Sequence, residues 1–374
     1  MKHLLTILPL SLGLIALTPA NLPLERLEIS QLGTSTGYDE RLLTDKKTLL
    51  QAIDHSLRYL NSSAAIRAYQ NYPIPEITRQ RVQRSLVRFR QLVQNYPTPA
   101  ALQKAVKKEF IWYRSLGNDS QGNVKFTGYF EPIYQASRQK NAEYKYPLYR
   151  RPANFSRWSK PHPARVELEG KDGLLGENSR LAGYELVWLK DRLEAYLVHV
   201  QGSAKLRLPN GQIMSIGFDG NTEHPYTSLG KEMIADGIFP VEGLTLPMVL
   251  DFLRNNPEQL KNYIPRNNRF IFFRETYGAP ATGSIGVPVL PERSIATDKS
   301  IFPPGALAVI ETEIPQGNLN KKLVSRYVLD QDTGSAIKGT GRVDIFMGTG
   351  KNAGERAGLI NTPGQLYYLL LREE

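Results

Sequence analysis

Near Gly117 the periodicity of the chain changes, and that break limits the folds open to it. Before it, apolar residues recur at helical spacing: Ile53, Leu57 and Leu60, then Val82, Leu86, Phe89 and Val93, then Leu102, Val106 and Phe110. Residues three and four apart share one helix face, so helices are expected across residues 45–115. Thr78 is a candidate cap for the second, and Thr98-Pro99 opens the third with a cap followed by proline at the first helical position. After the break, short alternating runs lie between Gly, Pro and Asn, at 125–130, 185–189, 195–200 and 213–218. Residues 228–263 return to helical spacing. From Phe270 the chain reads as strands at 270–273, 306–311, 325–329, 342–347 and 365–371, with a short helix over 353–359. Helices, then β, then more β argues against the alternating βα order of a doubly wound sheet and for a small β-barrel or sandwich. Residues 21–43, polar and turn-rich, are expected to form a loosely held lead-in.

The 374 residues contain no cysteine, which excludes a disulfide framework, a thiolate zinc site, an iron–sulfur cluster, a cysteine nucleophile and a lipid-modified N-terminal cysteine. Five scattered histidines give no basis for a histidine-rich metal centre, and neither metal nor cofactor is expected. A formal charge of +11 calls for an acidic partner: nucleic acid, a membrane surface or an acidic polymer. Residues 1–20 choose among them. Met1-Lys2-His3 is a short basic start, about fourteen mostly apolar residues follow, and Thr18-Pro19-Ala20 offers a small-residue cleavage site. This is the pattern of a secretory signal peptide, too short to span a bilayer. Export to the periplasm or cell envelope removes nucleic acid as a partner and leaves the acidic wall polymer. Arg79, Arg81, Arg84, Arg88 and Arg90 flank one helix stripe and read as its solvated face.

Several motifs fail on inspection. Gly348-Thr349-Gly350-Lys351 resembles a phosphate loop, but Ile345 and Asn352 stand where that loop needs glycine and Ser or Thr. Asp332-Thr333-Gly334-Ser335 copies the tetrapeptide of aspartic proteases, whose chemistry needs two such loops sharing a proton, and the chain has one. There is no Gly-x-Ser-x-Gly elbow. His199, read within an apolar strand, is a core histidine, and His224 beside Pro225 is a loop residue able to touch a ligand. What remains is a pair of aspartate-rich strand ends. Asp330 fits a structural role in the turn. Asp344 lies inside the apolar run 343–347; in a strand it shares a face with Arg342 and Phe346, opposite Val343 and Ile345. A carboxyl desolvated there has a raised pKa, as a general acid near neutral pH requires.

The segments 332–339 and 342–348 resemble the three-aspartate (3D) double-psi β-barrel domain. Upstream, Phe126-Thr-Gly-Tyr-Phe-Glu-Pro132, Tyr146-Pro-Leu-Tyr149, Val200-Gln-Gly-Ser203, Tyr226-Thr-Ser-Leu-Gly-Lys231 and Ser300-Ile-Phe-Pro-Pro-Gly305 follow in order. Together, over about residues 120–370, they resemble the membrane-bound lytic transglycosylase A (MltA) family. The resemblance implies a mainly β fold with N-terminal helices. A double-psi β-barrel would form from 21–125 and 277–374, a smaller inserted β-barrel domain from 126–276, and a glycan groove would lie between them. It implies cleavage of the β-1,4 bond between N-acetylmuramic acid and N-acetylglucosamine in peptidoglycan without water, the muramic C6 hydroxyl attacking C1 to leave a 1,6-anhydro end. Since the nucleophile belongs to the substrate, one carboxyl can serve as acid and then base, where ordinary glycosidases need two.

By the resemblance Asp344 aligns with the family's catalytic aspartate, while Asp332 orders the neighbouring turn or positions the site. Asp298 is a further groove candidate. Tyr129 offers a platform for a sugar ring and Glu131 a polar contact. Gln201 and Ser203 offer hydrogen bonds to hydroxyls or acetamides, with Tyr226 and Lys231 beside them, and Lys338 can meet a muramic carboxylate or peptide stem. The expected partner is a peptidoglycan glycan strand, bound by a monomer. Two departures from the family pattern stand out: no cysteine is present to carry a lipid, which argues against a lipid anchor and is compatible with a peripheral membrane association, and Thr340-Gly341 lengthens the turn before Asp344 by one residue. A non-catalytic peptidoglycan-binding protein and an aspartic-type hydrolase are the alternatives.

Overall fold

A computed structural model of the chain describes residues 22–70 and 72–373, so the expected signal peptide lies outside the described residues. Strand β1 (Leu24–Leu27) precedes four helices, α1 (Leu42–Leu60), α2 (Ser63–Tyr69), α3 (Arg79–Asn95) and α4 (Pro99–Glu109), and then β2 (Phe110–Ser115) and β3 (Val124–Glu131). The middle of the chain holds β4 (Ile133–Ser137), β5 (Tyr146–Tyr149), α5 (Arg165–Glu169), β6 (Glu185–Leu189), α6 (Arg192–Gln201), β7 (Ser203–Arg207) and β8 (Ile213–Asn221). Helices α7 (Leu229–Ala235), α8 (Leu246–Asn255) and α9 (Leu260–Tyr263) lead to β9 (Ile271–Glu275). The last part is β10 (Ser294–Ala296), β11 (Leu307–Pro315), β12 (Lys321–Asp332), β13 (Arg342–Thr349), α10 (Lys351–Leu359) and β14 (Asn361–Leu371).

Six of these strands close on themselves. In hydrogen-bonded order they run β14-β11-β12-β10-β13-β3, and β3 returns to β14, so no edge is left open within the ring. Two pairings are parallel, β3 with β13 and β10 with β12. β2 joins the far end of β14 and carries β1 as an outer strand. Helices α1 and α3 cover the barrel, which is why Val324 to Gln331 of β12 are buried without alternation. The chain leaves the barrel only after Glu131. Strands β5-β6-β4-β7-β8-β9 then form a second six-stranded sheet before the barrel resumes at β10.

The capping expectations hold: the Thr78 hydroxyl accepts from the Arg81 N–H, and the Thr98 hydroxyl from the Ala101 N–H with Pro99 behind it, both at 3.2 Å. Three expectations are corrected. Helix α4 ends at Glu109, and Phe110, assigned to its stripe, begins β2 instead. The run Phe110-Ile-Trp-Tyr113 is bulky, buried on both faces and suited to a pleated surface. Residues 195–200, read as a strand, lie in α6, which Asp191 caps through the Glu194 N–H (2.9 Å) and Gly202 ends in the left-handed region. Burial on nearly every side of α6 erased the polar face that marks a helix.

The third correction concerns residues 21–43. Leu24 and Leu27 are buried in β1, the Gly37 N–H donates to Ser325 Oγ at 2.7 Å, and Asp39 is fully buried. Asp39 accepts from Arg293 at 2.5 Å and from the Tyr327 N–H at 3.1 Å. Arg293 also reaches Asp45 (3.1 Å), and neighbouring Glu292 meets Arg41, Arg326 and Arg356. This buried network ties the lead-in to the barrel at both β12 and α10.

Candidate active site

Alternation along β13 puts Val343 and Ile345 in the core and turns Arg342 and Asp344 outward. On β3, Lys125, Thr127 and Tyr129 share the corresponding face. The register sets three rows side by side: Arg342 with Lys125, Asp344 with Thr127, and Phe346 with Tyr129. Thr127 Oγ1 donates to Asp344 Oδ1 at 2.9 Å, and the Tyr129 and Phe346 rings pack at 5.2 Å between centroids.

Burial pushes the Asp344 pKa up to about 6; the Arg342 guanidinium and the Thr127 hydrogen bond oppose the rise, and the charge of Asp332 adds to it. Asp332 is also raised by burial, although three donors serve it: the Tyr129 hydroxyl (2.7 Å) and the N–H groups of Ser284 and Thr333 (both 2.8 Å). Asp332 therefore joins the loop at Ser284, its own turn and the β3 face. Asp330 is fully buried among Thr297, Tyr368 and Lys299, a barrel-packing role.

The second sheet's domain supplies the facing groups. Tyr226 precedes α7; burial raises its hydroxyl pKa, and the charges of Arg342 and Asp344 both act on it. Lys231 on α7 is exposed and close enough for its charge to act on Lys125. Gln201 closes α6 and accepts from the Phe130 N–H at 3.0 Å, while half-buried Ser203 opens β7 opposite Gly217. Both were expected to follow a strand; Gln201 instead ends a helix and Ser203 follows it.

Other candidates sit elsewhere than expected. Glu131 is 2% exposed, and its carboxylate is committed to the Thr349 hydroxyl (2.8 Å) and Lys205 (3.8 Å), so it fastens β3 to β13 and β7 and offers no free sugar contact. Asp298 is buried, accepting from the Ser300 N–H (3.1 Å) and hydroxyl (2.7 Å) and from the Gly339 N–H (3.0 Å), which fixes the turn ahead of β13. Lys338 is exposed on that turn, 3.8 Å from Asp298. The added Thr340-Gly341 is anchored: the Thr340 hydroxyl donates to the Gly117 carbonyl (2.6 Å), and the Gly341 carbonyl accepts from Asn118 (3.0 Å) and the Lys125 N–H (2.9 Å). His224 bonds the His162 carbonyl, and His199 is a buried residue of α6, not of a strand. Thr127, Lys125 and Arg342 were missed as site residues, although their alternation around Tyr129 and Asp344 is visible in the sequence.

Fold and site define a mainly β protein in which a closed barrel presents a desolvated aspartate to an inserted second domain. Residues 125–274 match the MltA specific insert domain and residues 293–370 the 3D domain. The chain is 31% identical over 257 residues to membrane-bound lytic murein transglycosylase A of Escherichia coli, covering 68% of this chain and 67% of the relative. The enzyme of the same name from Vibrio cholerae is likewise 31% identical over 257 residues. The chain belongs to the membrane-bound lytic murein transglycosylase A family. Among solved structures, E. coli MltA with bound chitohexaose superposes with a TM-score of 0.72 at 25% identity, covering 94% of this chain and 95% of that one. A membrane-bound lytic murein transglycosylase from Agrobacterium tumefaciens has the same fold, with a TM-score of 0.75 at 24% identity over 94% of this chain and 98% of its own.

Proposed function

We propose that this chain is a murein-degrading lytic transglycosylase that cleaves the bond between N-acetylmuramic acid and N-acetylglucosamine without water. Asp344 is the group proposed to carry the chemistry. The observation behind this reading is a carboxyl held to one hydroxyl, desolvated, with a pKa of about 6. Such a group is substantially protonated in mildly acidic solution and substantially ionised near neutrality. Protonated, it gives its proton to the glycosidic oxygen as the bond to C1 breaks. Ionised, it accepts the proton of the muramic C6 hydroxyl as that oxygen closes on C1. Protons balance within one cycle, and no second acid is needed. Asp332, tied to three donors, lends its charge to the burial that raises the pKa of Asp344.

The substrate reading draws on the family and on the glycan oligomer bound by the E. coli relative. Among the described residues no helix is long and apolar enough to cross a membrane. The names of the relatives describe membrane-bound enzymes, and we place this chain in the cell envelope on that basis together with the signal-peptide pattern of residues 1–20. Digestion of purified sacculi followed by mass analysis of the released muropeptides tests the reaction. Anhydro ends are expected; ends heavier by one water would identify a hydrolase, and no soluble product would identify a binding protein.

A further inference from the structure

We infer that Lys125, Arg342 and Lys231 form a carboxylate-binding subsite beside Asp344, which holds the anionic substituent of a substrate saccharide. The inference rests on the peptidoglycan reading above and extends it to the side groups of the glycan.

Lys125 and Arg342 are ladder partners on adjacent parallel strands, in the row next to Thr127 and Asp344. Like charges directly opposite each other cost stability, and an opposite charge offsets them. For Lys125 that offset is missing. Lys125 loses basicity through burial and through the charges of Arg342 and Lys231, and no carboxylate acts in the other direction. The guanidinium of Arg342 meets the charge of Asp344, but its Nε is buried without a hydrogen-bond partner. Asp344, with a pKa of about 6, cannot neutralise three cations at any pH. Two of the cations lie on the barrel face and the third on α7 of the inserted domain, so the surplus charge spans both sides of the site.

A surplus of this kind suits an anion brought by the substrate. A guanidinium fork and two ammonium groups match a carboxylate in charge and hydrogen-bonding capacity. On a peptidoglycan strand carboxylates have two sources: the lactyl group of a muramic acid without peptide, and the stem peptide where one is attached. A chitin oligomer has neither, and so should gain nothing from the three cations.

Binding to the full chain carrying Asp344→Asn tests this, with three probes: chitohexaose, peptide-free alternating muramyl–glucosaminyl strands, and strands bearing stem peptides. Lys125→Gln combined with Lys231→Gln should lower the ratio of anionic to neutral affinity at least tenfold, and Lys125→Arg should keep it. Loss for peptide-free strands alone assigns the lactyl carboxylate, loss for peptide-bearing strands alone assigns the stem, and loss for both assigns a subsite that takes either carboxylate. An unchanged ratio, or equal loss for chitohexaose and the strands, overturns the subsite. Sacculus digestion by the unsubstituted chain reads the transglycosylase assignment separately, so either conclusion can fail without the other.

Discussion

Asp332 and Asp344 are both ladder partners of Ala296, one across the parallel pairing with β12 and the other across the antiparallel pairing with β13. One short strand thus separates two carboxyl groups, close enough for the charge of Asp332 to raise the pKa of Asp344. Each has its own hydroxyl donor from β3: Tyr129 for Asp332 and Thr127 for Asp344. Two carboxyl groups in related surroundings thereby receive different roles, one fixed by three donors and the other left with a single side-chain donor and a displaced pKa.

Replacing Asp344 with Asn removes the acid and leaves the shape. Muropeptide release should fall by about 100- to 10,000-fold, the range general acid–base groups contribute. The same variant should be more stable above pH 6. The folded state raises this carboxyl's pKa from the ordinary 3.8 to about 6, so ionising it costs folding free energy as pH rises through that interval. Thermal melting at pH 8 should show the variant stabilised by about 1–3 kcal/mol, with the gain fading near pH 4.

The pH profile should carry the mark of the same group. Protonated Asp344 starts the reaction, so kcat/KM should decline as pH rises past about 6. Arg342 holds that pKa down. Arg342→Gln should therefore move the alkaline limb to higher pH, measured with a soluble glycan-strand substrate across pH 4–9.

Tyr129→Phe should move the limb the other way. Without the hydroxyl, Asp332 loses one of its three donors and binds a proton more readily, so less negative charge faces Asp344. The loss of a hydrogen bond to a buried carboxyl should also cost about 1–3 kcal/mol in urea denaturation at pH 7.

Arg293→Met probes the ties of the N-terminal segment. It leaves the fully buried Asp39 without its guanidinium partner at 2.5 Å and takes a contact from Asp45. Breaking one side of a buried pair typically costs about 3–5 kcal/mol, and denaturant titration should show a loss of that size. A well-packed apolar replacement of all members together should cost far less.

What could be read in the sequence follows a physical rule. Asp344 stands out because a charge within an alternating apolar strand has few reasons to be there, and residues 342–347 do lie in a strand. Residues 195–200 misled because α6 is buried nearly all round, and a continuous apolar run has no face to betray its period. The β2 segment was joined to α4 because Phe110 fits the helical stripe as well as it fits the strand. Glu131 looked available in its motif; only the fold brings Thr349 to it from 218 residues away. The same holds for the pairing of Lys125 with Arg342, whose meaning lies in a register between distant strands. Local pattern reports which side of an element is buried; it does not report what the other side faces.

The closure of the barrel has a consequence for how the protein is made. Thr127 precedes Asp344 by 217 residues, and the strand that completes the ring ends at Leu371. A ribosome releases the earlier strand long before the later ones, so the ring is among the last contacts the chain can form. Until then Asp344 has neither its hydroxyl donor nor the desolvated setting that displaces its pKa. A partly synthesised chain thus has no formed site, and any wall-cutting capacity would arise only once the ring has closed.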